Sequence, residues 1–287
     1  MTGVDGGPWH DLRRPPLRQD ALRRALVAPH GPFARLDVVA ATGSTNADLR
    51  AAAAADAGAW PDLSVLTTDH QQAGRGRLDR TWETPARAAV TVSVLLRPSV
   101  PPTRWSWLPL LAGAAVADAL HRVCGVAAGL KWPNDVLVAG DDGEQRKVCG
   151  VLTEVVAGQQ AVVVGVGVNV SQSAAELPVP SATSLLLAGA ATTDRDTVLR
   201  AVLRALADTY AAWTRAAGDV AASGLAATVR ERCWTLGRPV EVDLPGGTVL
   251  RGTAEELDDE GRLVVRDAGG TPHAVAAGDV VHARSSS

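Results

Sequence analysis

Aromatic residues other than tryptophan are nearly missing from this chain, which has one Phe, one Tyr and one Met against eight Trp in 287 residues. Leu, Val and Ala must therefore build the interior. Cysteine is also scarce. Cys124, Cys149 and Cys233 are odd in number and far apart, which fits neither a disulfide framework nor a zinc cluster and points to a reducing, cytoplasmic setting. No run approaches the roughly 18 apolar residues of a membrane helix, and the opening MTGVDGGPWHDLRRPPLRQD lacks the apolar stretch of a signal peptide. Nor is there an excess of positive charge. A formal net charge of −3 means that any anion site has to be local, not a property of the whole molecular field. The histidines (His10, His30, His70, His121, His273, His282) show no metal-ligand spacing, and no serine sits in a Gly-x-Ser-x-Gly elbow. Zinc-enzyme and serine-hydrolase readings lose support, and no metal-ligating residue is expected.

What is present suits a globular protein: 46% hydrophobic and 21% charged residues, at a length that exceeds one average domain. Residues 1–34 read as a flexible N-terminal segment carrying one short helix in DALRRALVAP. An α+β body is expected over 35–235, with strands at 34–40, 63–68, 89–96, 147–156 and 160–170. Helices are expected at 47–57, 105–123 and 197–212. Val90, Val92 and Val94 face one way and Thr91 and Ser93 the other. DHQQAGRGRLDRTWETP, residues 69–85, has no apolar period and reads as a long loop. Over 236–287 the chain changes to short alternating strands split by glycine turns, a small all-β module.

Five segments combine residue types that suit chemistry. Gly74-Arg75-Gly76-Arg77, followed by Arg80 and Trp82, can wrap an anion, since glycines bring backbone amides close and arginine forks match carboxylate or phosphate oxygens. A solvated basic turn is the equal alternative. Lys131-Trp132-Pro133-Asn134-Asp135 packs a cation, a ring, a rigid turn and a carboxylate between two strands, where a plain Pro-Asn-Asp turn is the simpler reading. Lys147 opens an apolar strand with Gly150 after it, which suits a pocket mouth or an edge-protecting Lys. Gly165-Val166-Gly167-Val168-Asn169 is not a dinucleotide fingerprint, because no helix follows; its small residues suggest close packing of a ligand or backbone. Thr42-Gly43-Ser44-Thr45-Asn46 caps a helix or offers hydroxyls and amides to a polar ligand.

In this order, TGSTN (42–46), QQAGRGRLDRTW (71–82), KWPNDVLV (131–138), KVCGVLTE (147–154) and VVGVGVN (163–169) resemble the biotin protein ligases, from about residue 35 to the C-terminus. The resemblance implies a mixed sheet flanked by helices, of the class II aminoacyl-tRNA synthetase and biotin ligase type, with a C-terminal SH3-like β-barrel. It implies activation of biotin by Mg2+-bound ATP to biotinyl-5′-AMP, then transfer to a lysine of the biotin carboxyl carrier domain of an acyl-CoA carboxylase. By matched position, Lys147, Arg75 and Asp135 are implied to be catalytic. Ser44, Thr45, Gln71, Gly74, Arg75, Arg77, Lys147, Gly150, Gly165 and Gly167 are implied to bind biotin. Arg77, Arg80, Trp82, Lys131, Asn134, Lys147 and Asn169 are implied to bind ATP, with Trp82 near adenine.

Two departures from the family accompany the match. Leu78-Asp79 stand where many members carry basic or small residues, which lowers the net charge of the loop. About 34 residues precede the catalytic region without a helix-turn-helix pattern, so no DNA binding is expected, and a monomer or weak homodimer is. The alternatives are a lipoate or octanoate ligase of the same superfamily and, from another class, a nucleic-acid-binding module. Against the latter stand the net charge and the lack of a basic run in 237–284.

Overall fold

The computed structural model describes residues 13–282 apart from 78–79, 141, 245–246 and 277. Its centre is a seven-stranded mixed sheet in the order β1-β2-β5-β9-β8-β7-β6. These strands are β1 (Arg35–Val39), β2 (Ser64–Thr68), β5 (Ala89–Leu96), β6 (Ala128–Lys131), β7 (Asp135–Ala139), β8 (Gln145–Val155) and β9 (Val162–Asn169). Only β1 and β2 run parallel; the other neighbours are antiparallel. The intervening β3 (Gly74–Arg75) and β4 (Thr81–Trp82) pair with each other. The segment expected as an irregular loop therefore contains a short hairpin.

Strands β5 and β9 lie in the middle, and their alternation sorts side chains onto two covered faces. Val90, Val92, Val94 and Leu96 join Val164, Val166 and Val168 in the main core under α3 (Leu108–Cys124) and α4 (Arg195–Arg215). Residues of the other parity meet α2 (Thr45–Ala55), whose Leu49 and Ala53 pack with Leu66, Leu95 and Val163. Thr91 and Ser93 on this second face are buried as well. Helix α2 covers part of that face, its Asn46 lying against Gly165, and Gly150 and Gly167 lie beyond it under Trp82. Helix α3 ends at Gly125, whose φ of 69° closes the helix in a left-handed turn.

Residues 13–34 correct the expected division at 34/35. Helix α1 (Gln19–Leu26) places Leu22 and Leu26 in the main core beside Phe33, all at 0% exposure. Burying such a side chain contributes about 1.5–3 kcal/mol, so this segment is part of the folded body. Residues 1–12 lie outside the described residues.

Past α5 (Leu225–Arg232) comes the expected all-β module, a five-stranded antiparallel sheet in the order β13-β12-β11-β10-β14. Its strands are β10 (Pro239–Asp243), β11 (Val249–Leu257), β12 (Leu263–Arg266), β13 (Pro272–Val275) and β14 (Asp279–His282). Two buried indoles fasten it to the larger body: Trp107 Nε1 donates to the Asp259 carbonyl at 2.8 Å and Trp132 Nε1 to the Gly261 carbonyl at 3.0 Å. The ring of the KWPND block is thus a structural anchor.

Candidate active site

A cavity of about 130 Å3 opens on the half-covered face of the sheet, between the start of α2, the β3–β4 hairpin and strands β5, β8 and β9. One wall is neutral and polar. Ser44 is the N-cap of α2, with its hydroxyl accepting from Ala47 N at 3.4 Å, and it also lines the cavity. Gln71 Oε1 accepts from Thr45 N at 3.0 Å and from the Thr45 hydroxyl at 3.2 Å. Asn46, on the lining next to Ser44, rests against Gly165; a Cβ there would come within 2.3 Å of Asn46 Oδ1. Glycine at 165 makes room for this amide.

Other lining groups are charged. Lys147 Nζ lies 2.7 Å from Asp135 Oδ1, and both side chains line the cavity. The contact is an ion pair whose direction is off the hydrogen-bond axis, and among the described residues no aligned donor reaches Oδ1. Arg75 on β3 is exposed on the same lining. Close beneath Lys147 lies Cys149, whose thiol is fully buried; burial pushes its pKa well up, so it stays neutral.

The indole of Trp82 lies on the glycine floor, where a Cβ at Gly167 would meet the ring at 2.7 Å and one at Gly150 at 3.2 Å. Lys147 Nζ is 5.5 Å from the ring centroid. Trp82 thus lies over the floor that the sequence assigned to biotin. Its Nε1 is buried without a hydrogen-bond partner among the described residues.

Hairpin position is set by two close contacts. A Cβ at Gly74 would fall 2.2 Å from the Trp82 carbonyl oxygen and 2.3 Å from Gln71 Nε2, so only glycine permits the β3–β4 pair to form over Gln71. Arg77 donates to Asn134 Oδ1 at 3.1 Å, linking the hairpin to the KWPND turn, and Asn134 Nδ2 donates to the Val151 carbonyl at 2.8 Å. Leu78 and Asp79, the departure noted in the sequence, lie outside the described residues.

The expected residues Ser44, Gln71, Arg75, Arg77, Arg80 and Trp82 line this one cavity. So do Asn134, Asp135, Lys147, Gly150, Gly165 and Gly167. Four expected residues do not. Thr45 is buried behind the wall, supporting Gln71 and Ser93, and Gly74 supports the hairpin. Lys131 is paired in register with Asp135 at the end of β6, outside the lining. Asn169 is occupied within the protein: its Nδ2 donates to the Thr183 carbonyl and its Oδ1 accepts from Gln172 Nε2, both at 2.9 Å, so it braces the 171–185 loop. Sequence reading gave no role to Thr91 and Leu152, which line the cavity. The parity of β5 and β8 relative to Gly167 and Gly150 is the signal that places them there.

Comparison with known proteins agrees with this geometry. Residues 42–171 match the biotin/lipoate A/B protein ligase family, and residues 235–283 match the biotin protein ligase C terminal domain. A biotin–[acetyl-CoA-carboxylase] ligase of Mycobacterium tuberculosis is 46% identical over 278 residues, 96% of this chain and 98% of that protein. The bifunctional ligase/repressor BirA of Bacillus subtilis is 35% identical over 149 residues, 50% of this chain and 44% of that protein. Among solved structures, a biotin protein ligase from Aquifex aeolicus in complex with biotin and ATP superposes with a TM-score of 0.70 at 27% identity, over 88% of this chain and all of that one.

Proposed function

Because the chain belongs to the biotin/lipoate A/B protein ligase family, we propose that it is a biotin protein ligase: it joins biotin to ATP as biotinyl-5′-AMP and passes the acyl group to a lysine of a biotin carboxyl carrier domain. One observation carries the choice of substrate. A single cavity is lined both by neutral hydrogen-bonding groups, Ser44, Asn46 and Gln71, and by the cations Lys147 and Arg75. Biotin suits both, with a ureido ring at one end and a carboxylate at the other.

Lipoate shares the carboxylate, but its dithiolane ring has no N–H or C=O to satisfy the polar wall. A site built to hydrogen-bond its substrate strongly rejects an analogue lacking those groups. ATP–pyrophosphate exchange tests the assignment: exchange with biotin and none with lipoate is expected, and the reverse would overturn it.

The chemistry follows from charge. Two anions must meet, the carboxylate and the α-phosphate, and at 4 Å with an effective dielectric near 20 each unit-charge pair costs about 4 kcal/mol. Unshielded, that is roughly three powers of ten in rate. Lys147, positioned by Asp135, neutralises the meeting point, and Arg75 adds a second cation. A carboxylate oxygen attacks the α-phosphorus and pyrophosphate leaves. Mg2+ arrives with ATP as part of that substrate; among the described residues no three His, Cys, Asp or Glu side chains cluster to hold a metal by themselves. The carrier lysine then attacks the acyl carbon, the bond to the phosphate oxygen breaks, and AMP leaves.

We assign to Asp135, paired with Lys147 on the cavity lining, the task of taking the proton of that lysine once the adenylate occupies Lys147. Asp135→Ala is expected to slow transfer to the carrier by more than tenfold over its effect on adenylate formation, read by single-turnover assays of each half. Equal losses in both would reduce Asp135 to a holder of Lys147.

The acyl phosphate must be kept from water until the carrier arrives. We assign that task to the segment that carries the β3–β4 pair, whose Trp82 lies over the floor. Amide exchange across 73–82 is expected to slow on adding biotin and ATP; unchanged exchange would remove the hairpin from this role. ATP is placed on the Arg77, Arg80 and Asn134 side. No described helix is long and apolar enough to cross a membrane, and a cytoplasmic location remains part of the proposal.

A further inference from the structure

Glu154 ends the KVCGVLTE block, yet nothing in the proposed chemistry uses it. Its carboxylate sits at the outer end of a buried polar chain that reaches the cavity. Asn46 Nδ2 donates to Glu154 Oε2 at 2.8 Å and to the Leu152 carbonyl at 3.2 Å. Arg50, one turn along α2 from Asn46, donates to Glu154 Oε1 and holds the carboxylate in place. On the inner side the Ser93 hydroxyl donates to Asn46 Oδ1 at 2.6 Å, within reach of the Thr45 hydroxyl at 2.8 Å, which in turn reaches Gln71 Oε1.

The donor and acceptor inventory fixes the orientation of the Asn46 amide in this chain. A carboxylate and a carbonyl can only accept, so both Asn46 N–H groups must point to them. Turning the amide over would set Oδ1 against two oxygens in a residue that is 5% exposed, leaving buried acceptors unsatisfied. Oδ1 is therefore held toward Ser93 and the cavity, with one lone pair taken and one on offer. The wall at Asn46 can accept a hydrogen bond and cannot donate one.

We propose that Glu154 is a positioning residue for substrate recognition: it orients the Asn46 amide so that this part of the cavity presents an acceptor to an N–H of the substrate's polar ring. The proposal rests on the biotin-ligase reading, in which that ring is the ureido group. It also explains glycine at 165, because any side chain there would push the oriented amide away. Glu154 is 21% exposed and touches no reacting atom, so its influence on the reaction runs through Asn46.

Two variants test it. In Glu154→Leu the amide loses its carboxylate acceptor and can turn, and the KM for biotin is expected to rise by about tenfold, the scale of one lost hydrogen bond. The KM for ATP, kcat and Tm should stay within a narrow range of the parent. Glu154→Gln still offers Asn46 an oxygen, while Arg50 turns to solvent, and it should recover most of the loss. An unchanged biotin KM in Glu154→Leu would overturn the proposal, as would a joint rise of both KM values with a fall in Tm, which marks a merely structural role for the end of β8. Failure of the parent enzyme to exchange pyrophosphate with biotin would instead sink the biotin reading itself, so the two failures are distinguishable.

Discussion

Lys147→Ala is expected to fold like the parent and to lose adenylate formation by at least about a hundredfold. Removing one preorganised charge-stabilising donor from a transition state costs about two to three powers of ten. Here the lost group is a cation at the point where two anions meet. Stability should hardly change, because Lys147 and Asp135 are 34% and 21% exposed, and a partly solvated ion pair contributes about 0–1 kcal/mol. The loss should appear in kcat more than in the biotin KM, since the ammonium is needed most as negative charge gathers. ATP–pyrophosphate exchange gives the rate and thermal unfolding gives the control. Near-normal exchange would show that the charge assignment is wrong.

Gly74→Ala should be nearly as damaging for a steric reason. The added methyl would lie 2.2 Å from the backbone oxygen of Trp82 and 2.3 Å from Gln71 Nε2, and a backbone atom cannot swing aside as a side-chain tip can. The β3–β4 pair must open, shifting Gln71, Arg75 and Trp82 together. Displacing positioning groups by about 1 Å can cost roughly a hundredfold in rate, so kcat/KM for biotin should fall by about that factor. Tm should change little, because the pair spans only Gly74–Arg75 and Thr81–Trp82 and lies outside both hydrophobic cores. Parent-like kcat/KM would mean that the hairpin contributes nothing to the site.

Much of this was legible in the sequence, and the reasons differ by region. The central strands announced themselves because β5 and β9 are apolar runs rich in β-branched residues, and the glycines at 150, 165 and 167 marked a face needing room. The cations Arg75 and Lys147 could be named because such residues beside glycines are unusual in an apolar strand or tight loop. The role of Asn46 stayed hidden because Glu154 is 108 positions away, and only the β8–β9 register brings it beneath α2. Lys131 and Asn169 were placed in the site from their motifs alone. Lys131 ends β6 outside the cavity lining and Asn169 braces the 171–185 loop, arrangements set by hairpin register and loop packing that have no local signal. Helix α1 was foreseen as a helix but not as part of the core, since eight residues show too few turns to reveal where the apolar face docks.

The central claim is that one cavity brings a carboxylate onto the α-phosphorus at Lys147. Biotin labelled with heavy oxygen in its carboxylate, incubated with the enzyme, ATP and a carrier domain, tests it directly when the nucleotide product is read by mass spectrometry. The account predicts AMP carrying one labelled oxygen, left behind when the lysine takes the acyl group. Unlabelled AMP, or ADP with labelled phosphate, would contradict it.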